Sequence, residues 1–183
     1  MISWHAFLLY CGAYAICIAV PGPGVIAMVA RALGSGFRVA VPAALGMALG
    51  DWTWMTLSAF GLAMLAKLMG GFFLIVKLAG AGYLFFLAWQ YWTAPVGEMR
   101  EIVPETAGRS FVSQLAVTLG NPKAMAFFVA LLPAVIDVKS IGFVGFLQLT
   151  AATAVLIPAI MLVYAGLAAK VRGVLVSKKA RKR

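Results

Sequence analysis

From Ala6 to Ala30 the chain carries no Asp, Glu, Lys or Arg. A helix of that length is longer than the roughly 30 Å hydrocarbon core of a bilayer. Four further stretches have the same character. Val39–Ala66 is broken only by Asp51, a stretch over about residues 70–94 holds Lys77, Phe111–Ile136 holds Lys123, and Ser140–Ala169 is uncharged. Lipid offers the backbone no hydrogen-bond partners, so uninterrupted apolar runs of this length are expected as helices. The fold expected is therefore an all-α integral membrane protein with five transmembrane helices and a basic tail over residues 170–183.

Composition excludes a soluble domain. The chain is 64% hydrophobic and 11% charged, whereas soluble domains are nearer 45–50% apolar with about a quarter charged. The net charge of +10 invites a nucleic-acid reading, but the basic residues gather at the ends of apolar runs, as the positive-inside rule describes. Cys11 and Cys17 share one run, about 9 Å apart along a helix, too far for a disulfide. They read as packing residues. The first run is too long for a signal-peptide core and lacks a basic flank, so no cleaved leader is expected.

Orientation follows from the flanking charges. Arg31, Arg38, Arg100, Arg109, Lys170, Arg172, Lys178, Lys179, Arg181, Lys182 and Arg183 fall on one side, against Lys67 and Lys139 on the other. That asymmetry places the first group in the cytoplasm and the N-terminus outside. Trp4 then marks the outer interface, and Trp89, Tyr91 and Trp92 the inner end of the third span. Lys77 reads as a side chain that snorkels outward. The polar stretch Thr93–Ser110 reads as a connector. The basic run Ser177–Arg183 reads as a solvated segment touching anionic headgroups.

Three features interrupt the apolar pattern. Pro21-Gly22-Pro23-Gly24 lies inside the first run; two prolines there remove backbone donors and should unwind or kink the helix. Irregular backbone at membrane depth is tolerated against protein or a wet cavity, where its free carbonyls and amides are available to a ligand. A plain proline kink is the structural alternative. Gly120-Asn121-Pro122-Lys123 is a second break, in the fourth run. The third is Asp51, a carboxylate at a depth where a charge costs roughly 2.5–3.5 kcal/mol on insertion scales. Asp51 and Lys123 are expected to face a common polar cavity and partly neutralise each other; the competing placement has Lys123 snorkelling to the cytoplasmic interface. Asp51 has two open roles, accepting a cationic group or carrying a proton. Gly46 and Gly50 form a small-xxx-small pair that lets a neighbouring helix approach. Trp52 and Trp54 lie mid-span and either pack or line a path.

This inventory argues against an intramembrane enzyme. An aspartyl protease needs two membrane carboxylates sharing a proton, and Asp137 falls in an external loop. A serine mechanism needs a histidine at depth, and His5 sits at the outer end. No catalytic residue, metal or cofactor is expected.

In the order Pro21-Gly22-Pro23-Gly24, Arg31, Gly36, Gly46-x-x-x-Gly50-Asp51, Lys77-Leu78-Ala79-Gly80-Ala81-Gly82-Tyr83-Leu84, Gly120-Asn121-Pro122-Lys123-Ala124, Phe127-Phe128 and Leu132-Pro133, the chain resembles the LysE/RhtB family of amino-acid exporters, the LysE-type translocators. The resemblance covers almost the whole chain. It implies a single transporter domain over residues 1–183, working as a secondary carrier in the cell inner membrane. It further implies export of amino acids or related metabolites on the proton motive force. It implies six spans in two inverted triplets, with Pro21–Gly24, Asp51 and Asn121–Lys123 as the substrate or proton path. Two departures stand out. Family members more often carry Asn where this chain has Gly24, and the sixth span has no counterpart. The expectation is thus a shortened carrier or a five-span form completed by a partner, with a homo-oligomer among the arrangements. A non-transporting membrane subunit is the alternative reading. The partners expected are a small-molecule substrate and the bilayer, without nucleic acid.

Overall fold

The computed structural model describes residues 2–62, 106–138 and 141–180, with side chains as far as Gly173 in the last stretch. The third span, Lys67, Lys77, Trp89, Tyr91, Trp92, Lys139, the connector up to Glu105 and Arg181–Arg183 lie outside the described residues. Among the described residues the chain is helical, with no strand.

Helix α1, Trp4–Ala19, opens on Ser3, whose Oγ accepts from the Ala6 amide at 3.3 Å. It ends where Pro21 and Pro23 cannot donate to the preceding turn. Val20, held before a proline, is extended at φ −64°, ψ 125°. Helix α2, Pro23–Ser35, restarts with proline in its first turn, where the missing N–H costs nothing. Its N-cap is Gly22, so no side chain caps it. The two helices meet at 55°. Gly36, at φ +86°, takes the left-handed conformation that glycine adopts without strain and turns the chain into α3, Phe37–Thr56. A π-helical stretch, Leu57–Leu62, continues α3.

Helix α4, Ala107–Leu119, starts on a Thr106 cap and stops at Gly120. Asn121 then caps α5, Pro122–Ala126, its Oδ1 accepting from the Lys123 amide at 3.0 Å. A π-helical turn, Phe127–Leu131, leads into the short α6, Leu132–Val135. This unit bends by 52° at its break. Helix α7 runs from Phe143 to Ala180. Residues 170–180, expected as the start of a tail, thus continue the last helix; lysine, arginine and alanine all favour helix.

Among the described residues, Phe143–Gly173 alone is one helix long and apolar enough to cross a bilayer, and the count rises to three if each bent pair is one span. Helix α3 is not among them; Arg38, Asp51, Trp52 and Trp54 dilute its apolar character.

Side-chain contacts set the helix directions. The Ile2 amide donates to Gln148 Oε1 at 3.1 Å, Tyr10 Oη pairs with Thr153 Oγ1 at 3.1 Å, and Tyr164 Oη donates to the Ala19 carbonyl at 2.6 Å. Helices α1 and α7 therefore run in the same direction. Helix α3 runs against them: Trp52 Nε1 donates to Thr150 Oγ1 at 3.2 Å, and the Phe60 and Phe146 rings lie 5.1 Å apart. Helix α4 runs with α3, with Ser110 Oγ donating to the Val39 carbonyl at 2.8 Å near one end and Ser58 Oγ to the Phe128 carbonyl at 2.5 Å near the other. The two bent units are thus antiparallel. Gly36 and Arg172 meet at the end where α4 begins, so Arg38, Arg109 and Arg172 collect at one end.

The interior is largely apolar, and large apolar side chains cover the exterior as well. Trp4, Ile16, Ile26, Phe143, Val155 and Val163 are exposed, while Asp51, Ser58, Ser110, Gln114, Thr118, Asn121 and Thr153 are buried. In lipid, apolar side chains face the solvent and polar ones turn inward. Tyr10, Tyr14, Phe127 and Phe128 form the aromatic centre, with Tyr14 5.2 Å from Phe127 and 5.6 Å from Phe128. Among the described helices, α3 and α4 pack most intimately. A Cβ on Gly50 would stand 2.7 Å from Thr118 Cγ2, and one on Gly46 would overlap the Phe111 carbonyl.

Candidate functional site

Met47, Asp51 and Met55 are buried at successive i, i+4 positions of α3, one helical face. Gly46 and Gly50, one residue earlier in each turn, take α4 instead. Asp51 is thereby aimed between the two bent units. Tyr14, on α1, donates to Asp51 Oδ2 at 2.8 Å. Asp51 Oδ1 is buried with no hydrogen-bond partner among the described residues. A carboxylate oxygen left so is costly, because desolvation is uncompensated.

Asp51 belongs to a crevice where both breaks meet. Cys17, Gly22, Gly24, Asp51, Asn121 and Lys123 line it, with Met47 beside them. Gly22 and Gly24 come from the unwound start of α2; Asn121 and Lys123 come from the second break. The crevice is polar and roomy enough to admit water.

Lys123 reaches towards the first break. Its ammonium donates to the Val20 carbonyl at 2.7 Å, and its chain passes 3.3 Å from where a Gly22 Cβ would stand. The proline-rich break explains the vacancy on that carbonyl. The residue four positions on is Gly24, at the uncapped start of α2, so no helical ladder runs across. A second network braces the same strand of backbone. Gln114 Nε2 donates to the Gly24 carbonyl at 3.2 Å, Arg31 Nη1 donates to Gln114 Oε1, and Arg31 Nη2 donates to Ser113 Oγ at 2.7 Å.

A family model described as LysE type translocator matches residues 15–183. The chain belongs to the LysE type translocator family. It is a membrane translocator and not an enzyme. An uncharacterised membrane protein of Synechocystis is 29% identical over 180 residues, covering 97% of this chain and 87% of that protein. A homoserine/homoserine lactone efflux protein of Salmonella typhimurium is 31% identical over 170 residues, covering 92% of this chain and 81% of its own length. A leucine efflux protein of Salmonella typhimurium is 33% identical over 126 residues, covering 67% of this chain and 59% of its own length. No solved structure matches.

In this LysE-family chain the residues singled out from sequence separate into two groups. Asp51, Gly22, Gly24, Asn121 and Lys123 line one crevice, with Pro21, Pro23 and Pro122 making the breaks that open it. Trp52 and Trp54 do not line it. Trp52, next to Asp51 in the chain, is 37% exposed, whereas Trp54 lies near the Met47 side of the Asp51 face, is half-buried and packs against the core. Gly46 and Gly50 face α4. Gly24, where family members more often carry Asn, sits against Met47: a Cβ there would stand 3.2 Å from Met47 Cε, so a larger residue needs the methionine tip to shift. Tyr14, Cys17 and Gln114 were missed. Gln114 was visible as an amide inside an apolar run; Tyr14 and Cys17 were hidden by counting as apolar.

Proposed function

We propose that this chain is a secondary carrier that exports amino acids or related small metabolites across the cell inner membrane, coupled to protons, with Asp51 and the two breaks as its substrate path. The observation that carries the reading is the meeting of two antiparallel bent units at one crevice, beside a buried acid with an unpartnered oxygen. Broken helices of opposite sense around a midplane site are the arrangement by which carriers present main-chain groups to a substrate. Relatives named for leucine and for homoserine or homoserine lactone efflux supply the substrate class.

The inverted repeat belongs to the same proposal. The bent unit α1–α2 followed by α3 matches the bent unit α4–α6 followed by α7, with bends of 55° and 52° and reversed direction. Helix α3 runs away from the basic end and α4 begins at it. The basic end is assigned to the cytoplasm by the positive-inside rule. Alternating access then requires the bent units to move against each other around this crevice.

The test is efflux of labelled leucine and homoserine from proteoliposomes carrying the protein. Under an imposed proton gradient, efflux above that of empty vesicles is expected. Asp51→Asn should lower it by at least about tenfold, the equivalent of ~1.4 kcal/mol. Equal flux for wild type, Asp51→Asn and empty vesicles ends the carrier reading.

A further inference from the structure

We propose that Tyr14 is the positioning residue of Asp51: its hydroxyl pins Oδ2 and leaves Oδ1 as the oxygen that takes a proton or a cationic group. The proposal deepens the carrier reading and rests on it for what the acid does. Tyr14 Oη donates to Asp51 Oδ2 at 2.8 Å, and both side chains are 2% exposed or less. Asp51 Oδ1 has no partner among the described residues. Neighbouring rings hold Tyr14 in place. Its ring stacks on Tyr10 at 5.4 Å with 13° between the planes. Phe127 and Phe128, from the π-helical turn of the second bent unit, stand 5.2 and 5.6 Å away. Tyr10 does not compete for the acid, because its own hydroxyl pairs with Thr153 Oγ1 at 3.1 Å.

The direction of the bond decides which oxygen titrates. A phenolic O–H aimed at Oδ2 serves a carboxylate, and serves a neutral acid whose carbonyl oxygen is Oδ2. A proton on Oδ2 would break that bond; a proton on Oδ1 keeps it. Oδ1 also has the more to gain, since a buried oxygen without a partner bears its full desolvation cost. Two other titratable groups share the crevice, Cys17 from α1 and Lys123 from α5. Helix α2 contributes Gly22 and Gly24 there, α4 sets Thr118 against Gly50, and α7 sets Thr153 against Met55, none of which titrates.

The experiment is infrared difference spectroscopy of purified full-length protein in lipid nanodiscs, between acid and alkaline buffer. The carboxyl C=O band that Asp51→Asn removes belongs to Asp51. Tyr14→Phe should move that band to higher wavenumber, because its carbonyl has lost a hydrogen bond. Tyr10→Phe, which deletes the neighbouring hydroxyl of the same ring stack, should leave it in place. The proposal is overturned if no band depends on Asp51, if Tyr14→Phe leaves the band where it is, or if Tyr10→Phe moves it as far. Should Tyr14→Phe fail to fold, Tyr14→Phe with Asp51→Leu must fold, because removing both partners of a buried hydrogen bond is close to neutral; failure of both variants also overturns the proposal. Flux is read separately. Tyr14→Phe should lower leucine efflux by about tenfold, the worth of one hydrogen bond to a charged group. A shifted band with undiminished flux overturns the link to transport. A shifted band where the wild type moves no substrate sinks the carrier reading and leaves the pinned carboxylate standing.

Discussion

The two breaks share a bend and little else. At the first, between α1 and α2, backbone chemistry dominates: two prolines, two glycines, an uncapped helix start at Gly22 and a freed Val20 carbonyl. At the second, between α4 and α5, side chains do the joining. Asn121 caps its own helix with an oxygen 3.0 Å from the Lys123 amide, and Lys123 reaches over to the first break. One break offers groups and the other consumes them. A helix interrupted at membrane depth is therefore not by itself a ligand site; it becomes one when the chain around the interruption lacks side chains to satisfy it.

Mending the first break gives the largest expected effect. An interior proline costs a helix about 3 kcal/mol or more, so Pro21→Ala with Pro23→Ala lets α1 run into α2. Flux should fall to the level of empty vesicles while helical circular dichroism rises. Full transport by that double variant would show that the unwound backbone is dispensable.

The next effect concerns the contact that brings the second break to Asp51. Gly46→Ala and Gly50→Ala should each lower stability, by about 1–3 kcal/mol for overpacking, seen as a lower midpoint of thermal unfolding. Gly46 should be the worse, because its neighbour is the Phe111 backbone, whereas Gly50 meets the Thr118 side chain. The reverse order would mean that α4 shifts more readily than its packing indicates.

Asn121→Ala removes the cap of the second break and should cost about 1 kcal/mol, with Asn121→Ser recovering most of it. Equal midpoints for both variants would show that this break needs no capping either, and the contrast between the breaks would weaken. Trp52→Phe should matter least. It gives up a hydrogen bond at a 37% exposed position, worth under about 1 kcal/mol, and should leave flux unchanged. A large loss of flux would return Trp52 to the substrate path.

Much of the site was legible because each of its residues breaks a local rule. Prolines inside an apolar run, an acid inside another and a lysine after Asn-Pro are visible without knowing any contact. The expected meeting of Asp51 and Lys123 in one cavity appears in the crevice, but the hydrogen bond of Lys123 goes to Val20 and that of Asp51 Oδ2 comes from Tyr14. Gln114 and Tyr14 escaped notice because their partners, Gly24 and Asp51, lie 90 and 37 residues away. Trp52 and Trp54 drew attention by type, yet neither lines the crevice.

Chemistry that acts within one turn of helix was determined by the amino-acid sequence alone: where the helices stop, where a proline forbids a hydrogen bond, and that the exterior is apolar. Partnership was decided by the tertiary structure. A freed carbonyl carries no information about which cation will find it, and a carboxylate none about which hydroxyl. Those choices depend on antiparallel bent units brought together by the glycine face of α3, a distance relation that no local pattern encodes.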